Sequence, residues 1–479
     1  MINFQLPDFS PALPEMFLLG MTCIVLIVDL FLNDRTRLVT YFLAQVALLG
    51  TLMITLNTVS LDVQTTFSGV FIRDPMSDVL KIAVYTAAFV TFLYAKDYLR
   101  ERGILKGEFY VLGLFGVLGM MVLISAHNFL TVYLGLELLS LSMYAMVALQ
   151  RDSAVASEAA MKYFILGAIA SGMLLYGMSI IYGITGSLDL SEMAAQISTQ
   201  KSHILMAFGL VFMIVGIAFK LGAVPFHMWL PDVYHGAPTA VTLYIASAPK
   251  IAAFAMLMRL LIDGLYGMHE QWQGILIILA VLSMGVGNIL AIAQTNIKRM
   301  LAYSTISHVG FLILGALTGT QNGFAASMFY TLSYVLMALG GFGMIILMSR
   351  KGFEADKLED YKGLNQRSPW YALMMLILMF SMAGVPPFLG FWAKLAVLEE
   401  VVAAGHVWLA IVGVIFSIIG AFYYIRVVKL MYFDKADVSE PLSSSLDMRL
   451  MISLNSLAVL FLGIFPSGML NMCLLSVPG

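Results

Sequence analysis

Residues 204–229 read ILMAFGLVFMIVGIAFKLGAVPFHMW. The run is apolar as far as Phe219, close to the span of about 20 residues that lets a helix cross a hydrocarbon core. Lys220 then interrupts it, and Gly222-Ala223-Val224-Pro225-Phe226-His227 follows. Proline deletes a helix hydrogen bond and its ring clashes with the preceding turn, so the span is expected to unwind at Pro225. A charged group at membrane depth costs at least ~2.5–3.5 kcal/mol, so Lys220 has to be paired, hydrated or functional. A broken membrane helix beside a buried lysine is the first expectation, and it decides the fold class.

Similar apolar windows recur outward from this stretch along all 479 residues. They fall near 11–31, 38–57, 77–95, 109–126, 128–149, 159–182, 204–229, 239–261, 273–293, 300–318, 325–348, 370–398, 407–430 and 450–472. The fold class is therefore an all-α polytopic membrane protein with about fourteen transmembrane helices. Composition agrees: 61% of residues are hydrophobic and 11% charged, against roughly 25% charged in a soluble domain. The mean hydropathy is +0.92. No soluble domain interrupts the chain, so residues 1–479 read as a single membrane domain. Residues 11–31 resemble a signal peptide in hydropathy but lack its basic start and small-residue cleavage site, and they read as a retained helix.

A second break lies at Ala383-Gly384-Val385-Pro386-Pro387-Phe388. It shares a Val-Pro pattern ending in Phe with the first and stands about five spans away. An odd number of spans between matching elements inverts their orientation, the signature of inverted repeats with discontinuous helices at a functional centre. The expected organisation is three N-terminal helices over 11–95, a first five-helix repeat over 109–261, a second over 273–430, and a C-terminal helix over 450–472.

The net charge of −2 is uninformative because charge is segregated by membrane side. Most of the 26 basic residues, among them Arg100, Arg102, Lys298, Arg299 and Lys351, fall on one set of connections. The other side receives only Arg73, Lys81, Lys201 and Arg259. By the positive-inside rule the basic side is cytoplasmic, which puts both termini outside. No basic surface suits a nucleic acid. Cys23 and Cys473 are too few for an iron–sulfur cluster or a four-cysteine zinc site, so the chain is expected to carry no redox centre, cofactor or metal of its own.

Glu137, Lys162, Lys220, Lys250 and Lys394 all lie within predicted spans. Lys250 follows Pro249, Lys394 follows the second break, and Lys162 sits four residues after Glu158 near a span end, where it can snorkel. One acid cannot neutralise four bases. Burial disfavours the charged form of a lysine, so some of these groups can exchange protons, and His227 and His308 extend the row. Rows of this kind build proton relays. Against this, Glu137 and Lys220 could form a purely structural ion pair, His227 could simply satisfy carbonyls freed by the break, and Arg259 with Asp263, one turn apart, reads as an interfacial pair.

The run Lys220-Leu-Gly-Ala-Val-Pro-Phe-His-Met-Trp-Leu-Pro-Asp-Val-Tyr-His-Gly-Ala-Pro238, followed by Ala248-Pro249-Lys250, resembles the signature of the antiporter-like subunits of proton-pumping NADH:quinone oxidoreductase, respiratory complex I. Residues 294–308, Gln-Thr-Asn-Ile-Lys-Arg-Met-Leu-Ala-Tyr-Ser-Thr-Ile-Ser-His, form a second long match. Within that family, the Asp-Val-Tyr-x-Gly-Ala-Pro motif, a lysine at 394 and an end after fourteen spans are similar to the N branch rather than to M or L. The resemblance implies a proton relay through Glu137, Lys162, Lys220, Lys250 and Lys394, with Pro225, Pro386 and Pro387 breaking the helices. It also implies a subunit of an NADH:quinone oxidoreductase translocase with no redox site in this chain, the NADH, FMN, iron–sulfur clusters and quinone belonging to other subunits. The implied partners are subunit M, the small membrane subunits and the lipid bilayer, in a bacterial inner membrane. A multi-subunit sodium/proton antiporter, which shares the repeat and the lysines, and a structural membrane spacer are the competing expectations.

Overall fold

The computed structural model describes residues 6–33, 35–199, 204–436 and 440–478; Lys201 lies outside them. The chain begins with α1 (Leu13–Asp29) and α2 (Leu38–Thr58), a small antiparallel hairpin of β1 (Gln64–Thr66) and β2 (Phe71–Arg73), and then α3 (Pro75–Glu101). Helices α4 (Gly107–Ile124), α5 (Phe129–Val147), α6 (Ala154–Thr185), the short α7 (Leu190–Thr199), α8 (Ile204–Leu221), α9 (Trp229–Gly236), α10 (Thr239–Ala246) and α11 (Ala248–Leu257) follow. Met258–Gly264 continues α11 as a π-helix. Next come α12 (His269–Ile292), α13 (Ile297–Ala316), α14 (Gln321–Met348), α15 (Leu364–Arg367), α16 (Pro369–Ala383), α17 (Leu389–Ala403), α18 (Val407–Tyr432), α19 (Leu446–Ile464) and α20 (Ser467–Ser476).

Among the described residues, twelve helical stretches are long and apolar enough to cross a membrane. Two further crossings lie below that threshold for visible reasons. Helix α13 carries Lys298, Arg299, Ser304, Thr305, Ser307 and His308, and the crossing made by α16 and α17 is cut into two 15-residue pieces by the second break. Together they make the expected fourteen. The hairpin and α7 were not anticipated, because each is too short to show a period in the sequence; Phe71 of β2 bridges Ala126, and Asp189 beside α7 bridges Asn128.

The two breaks share one backbone solution. Helix α8 ends on Gly222 at φ +85° and α16 ends on Gly384 at φ +88°, left-handed conformations that only glycine adopts without penalty. At the first, Gly222 and Ala223 both donate to the Ala218 carbonyl; at the second, Gly384 and Val385 both donate to Phe380. The flanking pairs also match. A Cβ on Gly119 of α4 would stand 2.5 Å from the Leu139 nitrogen of α5, and one on Gly287 of α12 would stand 2.6 Å from the Ser307 nitrogen of α13, so both pairs pack backbone to backbone.

Gly384 is constrained twice, by its φ and by Lys394, whose Cδ would lie 2.9 Å from an added Cβ. Gly384→Ala is expected to destabilise the subunit by about 1–2 kcal/mol from the left-handed backbone alone, with a further loss from displacing Lys394. A lowered melting midpoint of the purified assembly checks this.

Candidate functional site: a row of buried lysines

Ending a helix inside a membrane leaves carbonyls without partners, and in hydrocarbon each must be satisfied. The chain meets this with lysines. Lys250 Nζ donates to the Leu221 carbonyl at 2.8 Å, and Lys394 Nζ donates to the Ala383 carbonyl at 2.9 Å. Leu221 and Ala383 each immediately precede the left-handed glycine, so the two ammonium groups serve equivalent carbonyls. Each also lies over an aromatic face, Trp229 for Lys250 and Phe311 for Lys394. Ser417 of α18 accepts a second bond from Lys394 at 2.8 Å. Both side chains are nearly sealed, Lys250 at 3% exposure and Lys394 at 9%.

Lys250 comes from the span after its break and Lys394 from the second half of its own, so the repeats are not copies at side-chain level. By contacts Lys394 corresponds to Lys250. Lys220, also buried, donates instead to Ser140 of α5 at 2.9 Å. Glu137 accepts a hydrogen bond from Ser171 of α6. No direct ion pair joins Glu137 to Lys220 among the described residues; two serine hydroxyls stand between them, and a small cavity of about 10 Å³ lies between Ser140, Ser171 and Lys220. That is about the space one water needs.

Two more cavities of about 10 Å³ continue the row. One is lined by Lys250, Thr305, His308, Tyr330 and Tyr334. The other is lined by His308, Lys394, Ser417, Asn288 and Tyr424. His308 belongs to both, with Nδ1 2.7 Å from the Tyr330 hydroxyl and Nε2 3.1 Å from the Tyr424 hydroxyl. The imidazole therefore stands between the two capping lysines, each separated from it by room for one water.

Other sequence-predicted residues lie outside this row. Lys162 is largely exposed on α6 and pairs with Glu158 and Asp232, both at 2.8 Å; Asp232 also holds Arg299 at 2.9 Å. His227 is half-buried at the first break, with its Nδ1 lacking a well-formed hydrogen bond and the Pro225 backbone beside the ring. Arg259 is more than an interfacial partner of Asp263. It is 1% exposed and grips both Asp263 and Asp74 at 2.8 Å, tying the π-helix to the start of α3. Sequence reading also missed the buried pair Lys81–Glu15 at 2.6 Å, since Glu15 and Lys81 lie on α1 and α3, far apart in the chain. Among the described residues no group of three or more His, Cys, Asp or Glu side chains could hold a metal ion.

Residues 126–420 match the family model described as NADH:quinone oxidoreductase/Mrp antiporter, TM. That description covers both respiratory and antiporter proteins. Full-length relatives decide between them: the chain is 62% identical over 473 residues to NADH-quinone oxidoreductase subunit N of Thioalkalivibrio sulfidiphilus, covering 98% of each. The chain belongs to the NADH-quinone oxidoreductase subunit N family. A second subunit N, from Thiobacillus denitrificans, is 58% identical over 99% of this chain and 98% of its own. Among solved structures, a chain of respiratory complex I from Thermus thermophilus with bound Aureothin matches at 30% identity and a TM-score of 0.83, covering 97% of this chain and all of that one. The fourteen crossings and two broken helices are thus the architecture of a subunit N family member.

Proposed function

We propose that this chain works as the proton-translocating subunit N in the membrane arm of a bacterial NADH:quinone oxidoreductase, beside subunit M and the small membrane subunits, and that it moves protons along Glu137, Lys220, Lys250, His308 and Lys394. The observation that carries this reading is the set of three one-water cavities beside the buried side chains of Lys220, Lys250, His308 and Lys394, two of them meeting at His308. A structural spacer has no need of water-sized voids beside lysines, and each such void sacrifices packing. Electron transfer from NADH to quinone belongs to other subunits, and this chain supplies the path for the coupled protons.

The chemistry follows from what each ammonium touches. A carbonyl cap, an aromatic face and a hydroxyl hold Lys394 when charged. None of these is a counter-ion, so a neighbour's change of charge alters how readily it releases its proton. Lys250 is held by a carbonyl cap and an aromatic face. Lys162, on the exposed edge of α6, supports the relay by holding Asp232 against Arg299. The repeats extend over 109–261 and 273–430, and both termini lie on the outer side of the inner membrane, with the basic connections in the cytoplasm.

Glu137→Gln and Lys220→Met are each expected to impair pumping while the complex assembles. The double substitution should assemble better than either single one, because it leaves no unbalanced buried charge. Native-gel yield alongside vesicle acidification reads both, and equal assembly of all three variants would remove the electrostatic link. Cysteines placed beside Pro225 and beside Pro386-Pro387 should label from opposite faces with a membrane-impermeant thiol reagent, the first from the cytoplasm and the second from outside. The function as a whole is tested by purifying the native complex and asking whether NADH oxidation by quinone acidifies one side of a vesicle.

A further inference from the structure

The three cavities of the row are each about the size of one water, and none is a wide opening to bulk solvent. A cavity of about 600 Å³ lies on the basic-rich face, with Arg102, His235, Lys298, Glu354 and Asp356 in its walls. Of these charged or titratable groups only Lys298 is buried, at 3% exposure; it donates to the Ala237 carbonyl at 2.7 Å, just past the end of α9. Seven residues further along α13 is Thr305, two turns and about 10 Å deeper on nearly the same stripe of the helix. The Thr305 hydroxyl lies 2.8 Å from that of Tyr334, and both residues line the cavity that Lys250 shares with His308.

Between these ends stands Tyr234 of α9, three residues before the carbonyl that holds Lys298. It is fully buried, and its hydroxyl faces that of Thr305 without a well-formed hydrogen bond. Thr305 and Tyr334 are among its neighbours. A buried hydroxyl left unpaired costs about 1–3 kcal/mol, and a phenylalanine would fill the same space without that cost. The position makes sense if the hydroxyl meets a water in transit.

We propose that Lys298 is a proton-uptake residue, taking protons from the 600 Å³ vestibule and passing them by way of Tyr234, Thr305 and Tyr334 to the cavity between Lys250 and His308. This central inlet bypasses Glu137 and Lys220, and it rests on the relay reading above. The step balances: a hydronium in the vestibule gives its proton to the nitrogen lone pair of neutral Lys298 and remains as water. The ammonium then releases that proton into the hydroxyl and water chain, where each oxygen accepts one proton and gives up another. One proton arrives at the Lys250–His308 cavity and Lys298 is neutral again.

The competing role is a structural one, in which Lys298 only caps the end of α9. Arginine keeps such a cap and its charge but cannot release a proton, and Tyr234→Phe removes only a hydroxyl whose one near neighbour is that of Thr305. The test uses the whole complex in vesicles, with protons moved per electron measured for Lys298→Arg, Tyr234→Phe and, as reference, Lys250→Met. The expected result is that Lys298→Arg lowers the ratio part of the way to that of Lys250→Met, because the route through Glu137 and Lys220 is left. Tyr234→Phe should lower it too, more so as the pH on the vestibule side is raised and uptake becomes limiting. A wild-type ratio in either Lys298→Arg or Tyr234→Phe would overturn the proposal. A wild-type ratio in Lys250→Met would instead sink the relay reading, and this inlet with it.

Discussion

Lys250→Arg is expected to stop proton movement through this subunit while the complex still assembles. Arginine can still donate to the Leu221 carbonyl and lie over Trp229, the two contacts that Lys250 makes. A purely structural cation would therefore be replaced at little loss. A relay group must give its proton up, and the guanidinium does not do so at any accessible pH. Lys250→Met is a less clean probe, because it also strands a buried carbonyl at a cost of about 1–3 kcal/mol. Vesicle acidification per NADH oxidised reads the outcome, and normal translocation with arginine at position 250 would remove Lys250 from the path.

Arg259→Met is expected to have the largest effect on stability. The guanidinium is the shared partner of Asp74 and Asp263 and also donates to the Ile124 carbonyl at 3.0 Å. Removing it leaves two buried carboxylates facing one another. Breaking a buried pair by deleting one partner typically costs ~3–5 kcal/mol, a large share of the stability of a natural fold. The amount of subunit recovered from membranes should collapse. Adding Asp74→Asn and Asp263→Asn to the same variant should restore part of it, since the uncompensated charge is then gone. Failure of that rescue would show that the cluster holds α3 to the π-helix by shape rather than by charge.

How far the fold and the site could be read from the chain depends on the range of the interaction. The breaks were legible because proline and glycine act locally, and Pro225, Pro386, Gly222 and Gly384 stand where helices must end. The buried lysines were legible because charge inside an apolar run is rare for an energetic reason. What those lysines touch was not. The Leu221 and Ala383 carbonyls carry no side-chain signal, and Ser140, Ser171 and Ser417 look like any small polar residue in a membrane helix. Lys298 was read as one more cytoplasmic positive charge, since it opens a span and sits beside Arg299; only the fold shows one buried and the other in the Asp232 cluster. Glu15 of α1 and Lys81 of α3 meet although they lie far apart in the chain, which no spacing rule anticipates. The histidine at 308 was recognised as titratable, but its place between two cavities depends on α13, α14 and α18 together.

If one row of lysines in this chain carries protons, removing the row lowers the proton yield of the whole complex. The most direct measurement is the number of protons moved per electron by the purified complex in sealed vesicles, comparing the native subunit with one carrying Lys220→Met, Lys250→Met and Lys394→Met together. The assembled variant complex should move fewer protons per electron, the loss being the share carried by this subunit. An assembled variant that moves as many protons per electron as the native complex would contradict proton carriage by the row.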